Sequence, residues 1–216
     1  MRMLLFFGVI IAAGLFIIYH MSQFFIAISN PKSRIKKDRR FAQVELNAIA
    51  KNVVPFEAEE LTLISFEVEI THKKRAFHSE SFGQIFTIYS EPLVAFYQFD
   101  YDDGRKLVMT KNSNSDIVFY KEETDIHIEV NGVNKYIVNE FYTLLDANTS
   151  EVVAMKTNDS ALNIERISSN DSNIGNIENG NEDDNRSGRV FSSIMTESAD
   201  QILINYCYSI LNILNI

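Results

Sequence analysis

One cysteine, Cys207, stands among 216 residues. A single thiol excludes an intramolecular disulfide and any two- or four-cysteine zinc site within one chain. Nothing else points to an oxidising compartment, and no cysteine follows the apolar leader as a bacterial lipoprotein would require. Histidine is scarce as well. His20, His72, His78 and His127 are the four, and none has another at the i,i+4 spacing of a helical metal site. No G-x-S-x-G, Walker A or G-x-G-x-x-G stretch occurs, so the local signatures of serine hydrolases, P-loop NTPases and dinucleotide enzymes are missing. Asp100–Gly104, "DYDDG", places glycine where the fifth-position calcium ligand of an EF-hand loop belongs, and a hairpin turn explains it better. No cofactor and no metal are expected.

Charge is missing from a second place. Met3 to Ser29 contains no Asp, Glu, Lys or Arg, and eleven of the seventeen residues from Met3 to Tyr19 are Leu, Ile, Phe or Val. At 1.5 Å per residue, about 20 such residues cross a ~30 Å hydrocarbon core, which predicts a transmembrane helix from Met3 to about Ser22. The run exceeds the h-region of a signal peptide and lacks a small-x-small cleavage site, which favours an uncleaved anchor.

The uncharged run ends in "NPKSRIKKDRR", where Lys32, Arg34, Lys36, Lys37, Arg39 and Arg40 fall within nine positions. Against Arg2 and the amino terminus on the other flank, this cluster predicts the amino terminus outside and the bulk of the chain in the cytoplasm. Two readings of the six residues stay open: they only fix topology, or they also meet anionic lipid head groups. Residues 41 to 216 hold 13 basic and 28 acidic residues, a formal −15, which repels nucleic acid.

Asn30-Pro31 reads as a helix start and Pro55 as the next break, so residues 31 to 53 form a juxtamembrane helix. From Leu61 onward the apolar pattern alternates. "LTLISFEVEIT", "FGQIFTIYS", "PLVAFYQFDY", "RKLVMT", "IVFYK", "DIHIEV", "KYIVN", "FYTLLD", "EVVAMK" and "ALNIERI" give about ten short strands, with Asn131-Gly132 the strongest hairpin signal. Sequential hairpins make an antiparallel meander, sandwich or barrel, not a doubly wound parallel sheet. Residues 168 to 188 are rich in Asn, Asp, Glu and Gly and predict a disordered loop. "RVFSSIM" reads as a last strand. Ser198 to Gln201 has capping-box spacing before "ILINYCYSILNILNI", a helix apolar almost all round and therefore buried almost all round.

The strands of "VNKYIVNEFYTLLDANTSEVVAMK", Val133 to Lys156, and the closing "ADQILINYCYSILNI" resemble the tubby, scramblase and LURP-one group over roughly residues 60 to 216. That resemblance implies a β-barrel closing around its own terminal helix. The chain departs from the group in its insertion at 168 to 188 and in lacking a clear basic pocket, and no binding residue is carried over.

Three segments follow: an anchor at 1–29, a basic helix at 30–55 and a mainly β domain at 56–216. The expected function is a non-catalytic, membrane-tethered interaction domain that meets a protein or lipid partner. The alternative is a membrane-associated enzyme whose residues come from distant strands. For it, His127 and Glu129 are the first candidates, although His127 alternates with Ile126 and Ile128 as an outward-facing strand residue does. The sequons at Asn148, Asn158, Asn170 and Asn185 would stay unmodified in a cytoplasmic domain.

Overall fold

Period-two alternation resolves into one antiparallel sheet whose eleven strands lie side by side in sequence order. The computed structural model describes residues 11–19, 21–22, 31–57, 60, 63–75, 78–159, 164–169, 172–178 and 198–216. The strands are β1 (Ile64–Lys74), β2 (His78–Thr87), β3 (Pro92–Tyr101), β4 (Lys106–Lys111), β5 (Asp116–Glu122), β6 (Asp125–Val130), β7 (Val133–Val138), β8 (Thr143–Asp146), β9 (Val152–Asp159), β10 (Ile164–Ser169) and β11 (Ser172–Glu178). Among the elements whose bounds are described, the helices are α1 (Pro31–Ile49) and α2 (Ala199–Ile213).

The chain divides into two units, Met1–Phe41 and Ala42–Ile216. In the first, residues 11–19 and 21–22 are helical, and Pro31 occupies the first position of α1. Among the described residues no helix is long and apolar enough to cross a membrane. Met3 to Ile10, His20 and Asn30, which belong to the expected span and cap, lie outside the described residues. α1 runs on as a 3-10 turn, Ala50–Asn52, and stops at the extended Val53.

In the second unit, turn chemistry sets the register. Asn131 and Gly132 both have positive φ, 51° and 83°, as the tight β6–β7 hairpin requires. The strands then bury alternate side chains, Val94, Phe96, Val108, Phe119, Ile128 and Val138 among them, on one concave face against α2.

Among the described residues the strands form a single sheet in sequence order, the meander rather than the two-sheet sandwich. Among the described residues β1 pairs only with β2 and β11 only with β10, so the sheet is open, and the expectation of a closed barrel is corrected. The physical reason lies in the curvature. Register shifts in the β1–β2, β2–β3, β6–β7, β8–β9 and β10–β11 pairs bend the sheet, and α2 fills the concavity, so the core is complete without end-strand pairing.

α2 is covered on every side. Ile204 to Leu211, eight consecutive residues, are all buried, and eight residues at about 100° each pass more than twice round the axis. Its polar groups bond strands far apart in the sheet. Asn205 Nδ2 donates to the Ile174 carbonyl of β11 at 2.7 Å. The Tyr208 hydroxyl donates to the Tyr142 carbonyl at 2.8 Å, with the Ala154 carbonyl of β9 at 3.3 Å. At the carboxyl end Lys106 Nζ donates to the Asn215 carbonyl at 2.7 Å, a cation where the helix dipole favours one. Ser198 stands at the N-cap with extended backbone, but its side chain makes no capping bond.

The predicted disordered loop is a second correction. β10 reaches Ser169, and β11 occupies Ser172–Glu178 with Ile174, Gly175 and Ile177 buried. The bulge opposite Ile167 and Ser168 makes Ile174 an extra residue, which turns both isoleucines, three positions apart, to the core. Residues 179–188 and the predicted strand "RVFSSIM" lie outside the described residues.

The convex face of the sheet is also covered in part. Tyr97, Phe99, Leu107 and Met109 are at most 2% exposed. Gln84 Nε2 donates to the Ile49 carbonyl at 3.0 Å and Gln43 Nε2 to Asp116 Oδ2 at 3.3 Å, so the last two turns of α1, with Ala42 and Leu46 buried, lie over β2 to β5.

Candidate functional site

The first unit presents apolar surface outward. Ile11, Leu15, Phe16, Ile17, Ile18, Tyr19 and Met21 are each 54–64% exposed, which gives an apolar helical stretch far beyond the scattered apolar residues normal on a water-facing surface. Of the six basic residues, Lys36, Lys37 and Arg40 are exposed and fall within an arc of about 100° on α1. Arg34 instead turns to Asp38, 3.8 Å away at i,i+4, and Arg39 is half-buried. Lys32 lies in the first turn. The helix therefore gathers three of the predicted residues on one face and diverts a fourth into an ion pair.

At the amino end of α2 a cleft of about 340 Å³ is lined by Phe56, Glu57, Asn112, Asn114, Ser115, Ala199, Ile202, Leu203 and Tyr206. The β4–β5 turn shapes it. Asn112 Oδ1 accepts from the backbone N–H groups of Asn114 and Ser115 at 2.8 and 2.7 Å, and the Phe56 N–H donates to Ser113 Oγ at 2.7 Å. Phe56 meets the Tyr206 ring edge-on at 5.3 Å. These polar groups are occupied by one another. Apolar wall and the exposed Glu57 carboxylate remain for a ligand, with no histidine in the lining.

A buried carboxylate marks the convex side of β2. Glu80 Oε1 accepts from Arg75 Nε at 3.0 Å and stands 3.1 Å from His78 Nε2, while the Tyr97 hydroxyl donates to Oε2 at 2.9 Å. Burial works to raise the Glu80 pKa, but hydrogen bonds from Arg75, Tyr97 and His78 outweigh it and hold the carboxyl below its ordinary range. A carboxylate so committed is a weak base, and the cluster ties the β1–β2 turn to β3. The local sequence shows no motif for it; the pairing of His78 with Tyr101 and of Glu80 with Phe99 assembles it.

His127 lies on the convex face of β6 opposite Tyr120 and Ile137, with Ile126 and Ile128 buried on either side. Glu129 follows on the same face, and neither lines the cleft at α2. In the "DYDDG" turn Asp103 pairs with Arg105 and Asp100 with Lys106, the latter at 3.2 Å. Among the described residues no group of three or more His, Cys, Asp or Glu could hold a metal ion. No family model, curated protein or solved structure matches the chain.

Proposed function

We propose that this protein is a single-pass, membrane-tethered interaction domain without catalytic activity. Its anchor is Met3 to about Ser22, and its helix-filled sheet is held at the cytoplasmic face to meet a protein or lipid partner. The observation that carries the reading is the run of seven large apolar side chains between Ile11 and Met21, all more than half exposed. Water disfavours such a surface by about 25 cal/mol for each Å² of apolar area, and a bilayer removes that penalty. The basic face of Lys36, Lys37 and Arg40 suits an anionic inner leaflet. A cleft without a histidine or paired carboxylates favours binding over catalysis. The resemblance to the tubby, scramblase and LURP-one group is part of the same proposal and rests on the sequence of Val133 to Lys156 and of the terminal helix; the open sheet departs from the closed barrel it implies.

Flotation of the full chain with neutral and anionic vesicles tests the tether. The chain should float with both and resist release by high salt; release by salt would reduce the contact to surface electrostatics, and failure to float would overturn the proposal. A reporter fused after Ile216 should act as cytoplasmic.

A further inference from the structure

β1 opens the sheet, and among the described residues its outer edge has no ladder partner. The Arg75 N–H donates to the His78 carbonyl at 2.9 Å, which sets the phase of the β1–β2 ladder. Glu69, Thr71 and Lys73 exchange bonds with β2, so the backbone groups of Val68, Ile70, His72 and Lys74 point to the free edge. From Val68↔Ile85 to Lys74↔Ser79 the pairing runs without a bulge, and Glu69 to Lys74 are all exposed. A regular, exposed edge of this kind is a template for another strand.

The edge is complementary to itself. An antiparallel copy about a two-fold axis at Thr71 sets Ile70 opposite His72 and Val68 opposite Lys74 at the hydrogen-bonded positions. It sets Glu69 opposite Lys73, twice, at the non-hydrogen-bonded positions, where side chains approach most closely. Moving the axis to Ile70 places Glu69 against Thr71; moving it to His72 places Glu69 against Arg75, already 3.0 Å from Glu80. The other open edge, β11, has no comparable alternation of sign along "SNIGNIE". Joining β1 to β11 of a second copy would be head-to-tail, giving a ring or a filament rather than a two-fold pair.

We propose that β1 is a dimerisation edge: two copies of this chain pair antiparallel through β1 with Thr71 on the two-fold axis, continuing the sheet across the pair. β1 belongs to the unit Ala42–Ile216 and the tether to Met1–Phe41.

The test uses the full chain in detergent, so that it does not depend on the tether. Thr71→Cys and Lys73→Cys are oxidised side by side. Across the axis the two copies of position 71 have Cα atoms about 4.5 Å apart, within disulfide reach, whereas the two copies of position 73 stand four residues apart, about 13 Å. Cys207 does not compete, because it is buried and burial pushes its thiol up to about 12. The expected result is a disulfide dimer for Thr71→Cys and little for Lys73→Cys. Adding Glu69→Lys or Lys73→Glu to Thr71→Cys should each lower the dimer yield, and the two together should restore it. All three positions are exposed, and circular dichroism checks that each variant is folded. Equal cross-linking at 71 and 73, or a charge swap that restores nothing, overturns the proposal.

Discussion

The Tyr206 hydroxyl donates to Thr110 Oγ1 at 3.1 Å, joining α2 to β4 across 96 positions of chain. Both residues are 1% exposed, and burial raises the Tyr206 pKa, so the hydroxyl stays protonated as a donor. Tyr206→Phe removes the bond and leaves the ring packed on Phe56. A loss of about 1 kcal/mol in urea unfolding, with the slope unchanged, is the expected outcome. An unaltered midpoint would show that the bond adds nothing to the seat of the helix.

Enclosure of α2 makes a sharper demand. Ile210 is 0% exposed, and Ile210→Asp places a carboxylate among apolar strands, which should prevent folding. Leu203 is half-buried at the cleft, where water reaches it. Leu203→Asp should leave a cooperative transition weakened on the order of 1–3 kcal/mol. A native-like transition for Ile210→Asp would mean that one side of the helix is open.

Glu80 gives the protein an acid limb. Its folded pKa lies below the ordinary value of 4.5, so its contribution is full above that value and is lost as pH falls through the folded pKa. Glu80→Gln should lower Tm at neutral pH, and the gap to the native sequence should narrow once pH drops below about 4. A gap constant across that range would show that the carboxylate is not preferentially ionised in the fold.

Gly83 marks a close approach. A Cβ there would overlap the carbonyl oxygen of Glu69 on β1. Gly83→Ala therefore has to push β1 from β2, at a cost on the order of 1–3 kcal/mol, with faster amide exchange along β1 as its local sign. Exchange unchanged from the native sequence would contradict the contact.

Much of the sheet is legible in the sequence, and the failures have physical causes. β3 and β6 fall where the alternation of "PLVAFYQFDY" and "DIHIEV" places them, because tight turns bound both. β1 runs on through His72, Lys73 and Lys74, beyond the predicted strand "LTLISFEVEIT", because pairing with β2 continues past the apolar stretch. β11 hides in an Asn-rich segment because its core residues, Ile174 and Ile177, are out of phase until a bulge realigns them. The Glu80 cluster depends on strand register, and the cleft on a turn and a helix more than eighty residues apart, neither of which a local pattern encodes. The basic cluster from Lys32 to Arg40 is readable in the sequence, whereas its sorting into Lys36, Lys37 and Arg40 on one face, with Arg34 turned to Asp38, is not.

The proposed membrane tether is tested most directly by alkaline extraction of membranes from cells making the full chain. An apolar span held in hydrocarbon is not released by high pH, whereas a chain bound through Lys36, Lys37 and Arg40 alone is released once those contacts are stripped. The protein should remain in the membrane pellet after extraction, and its full recovery in the supernatant would contradict a spanning anchor.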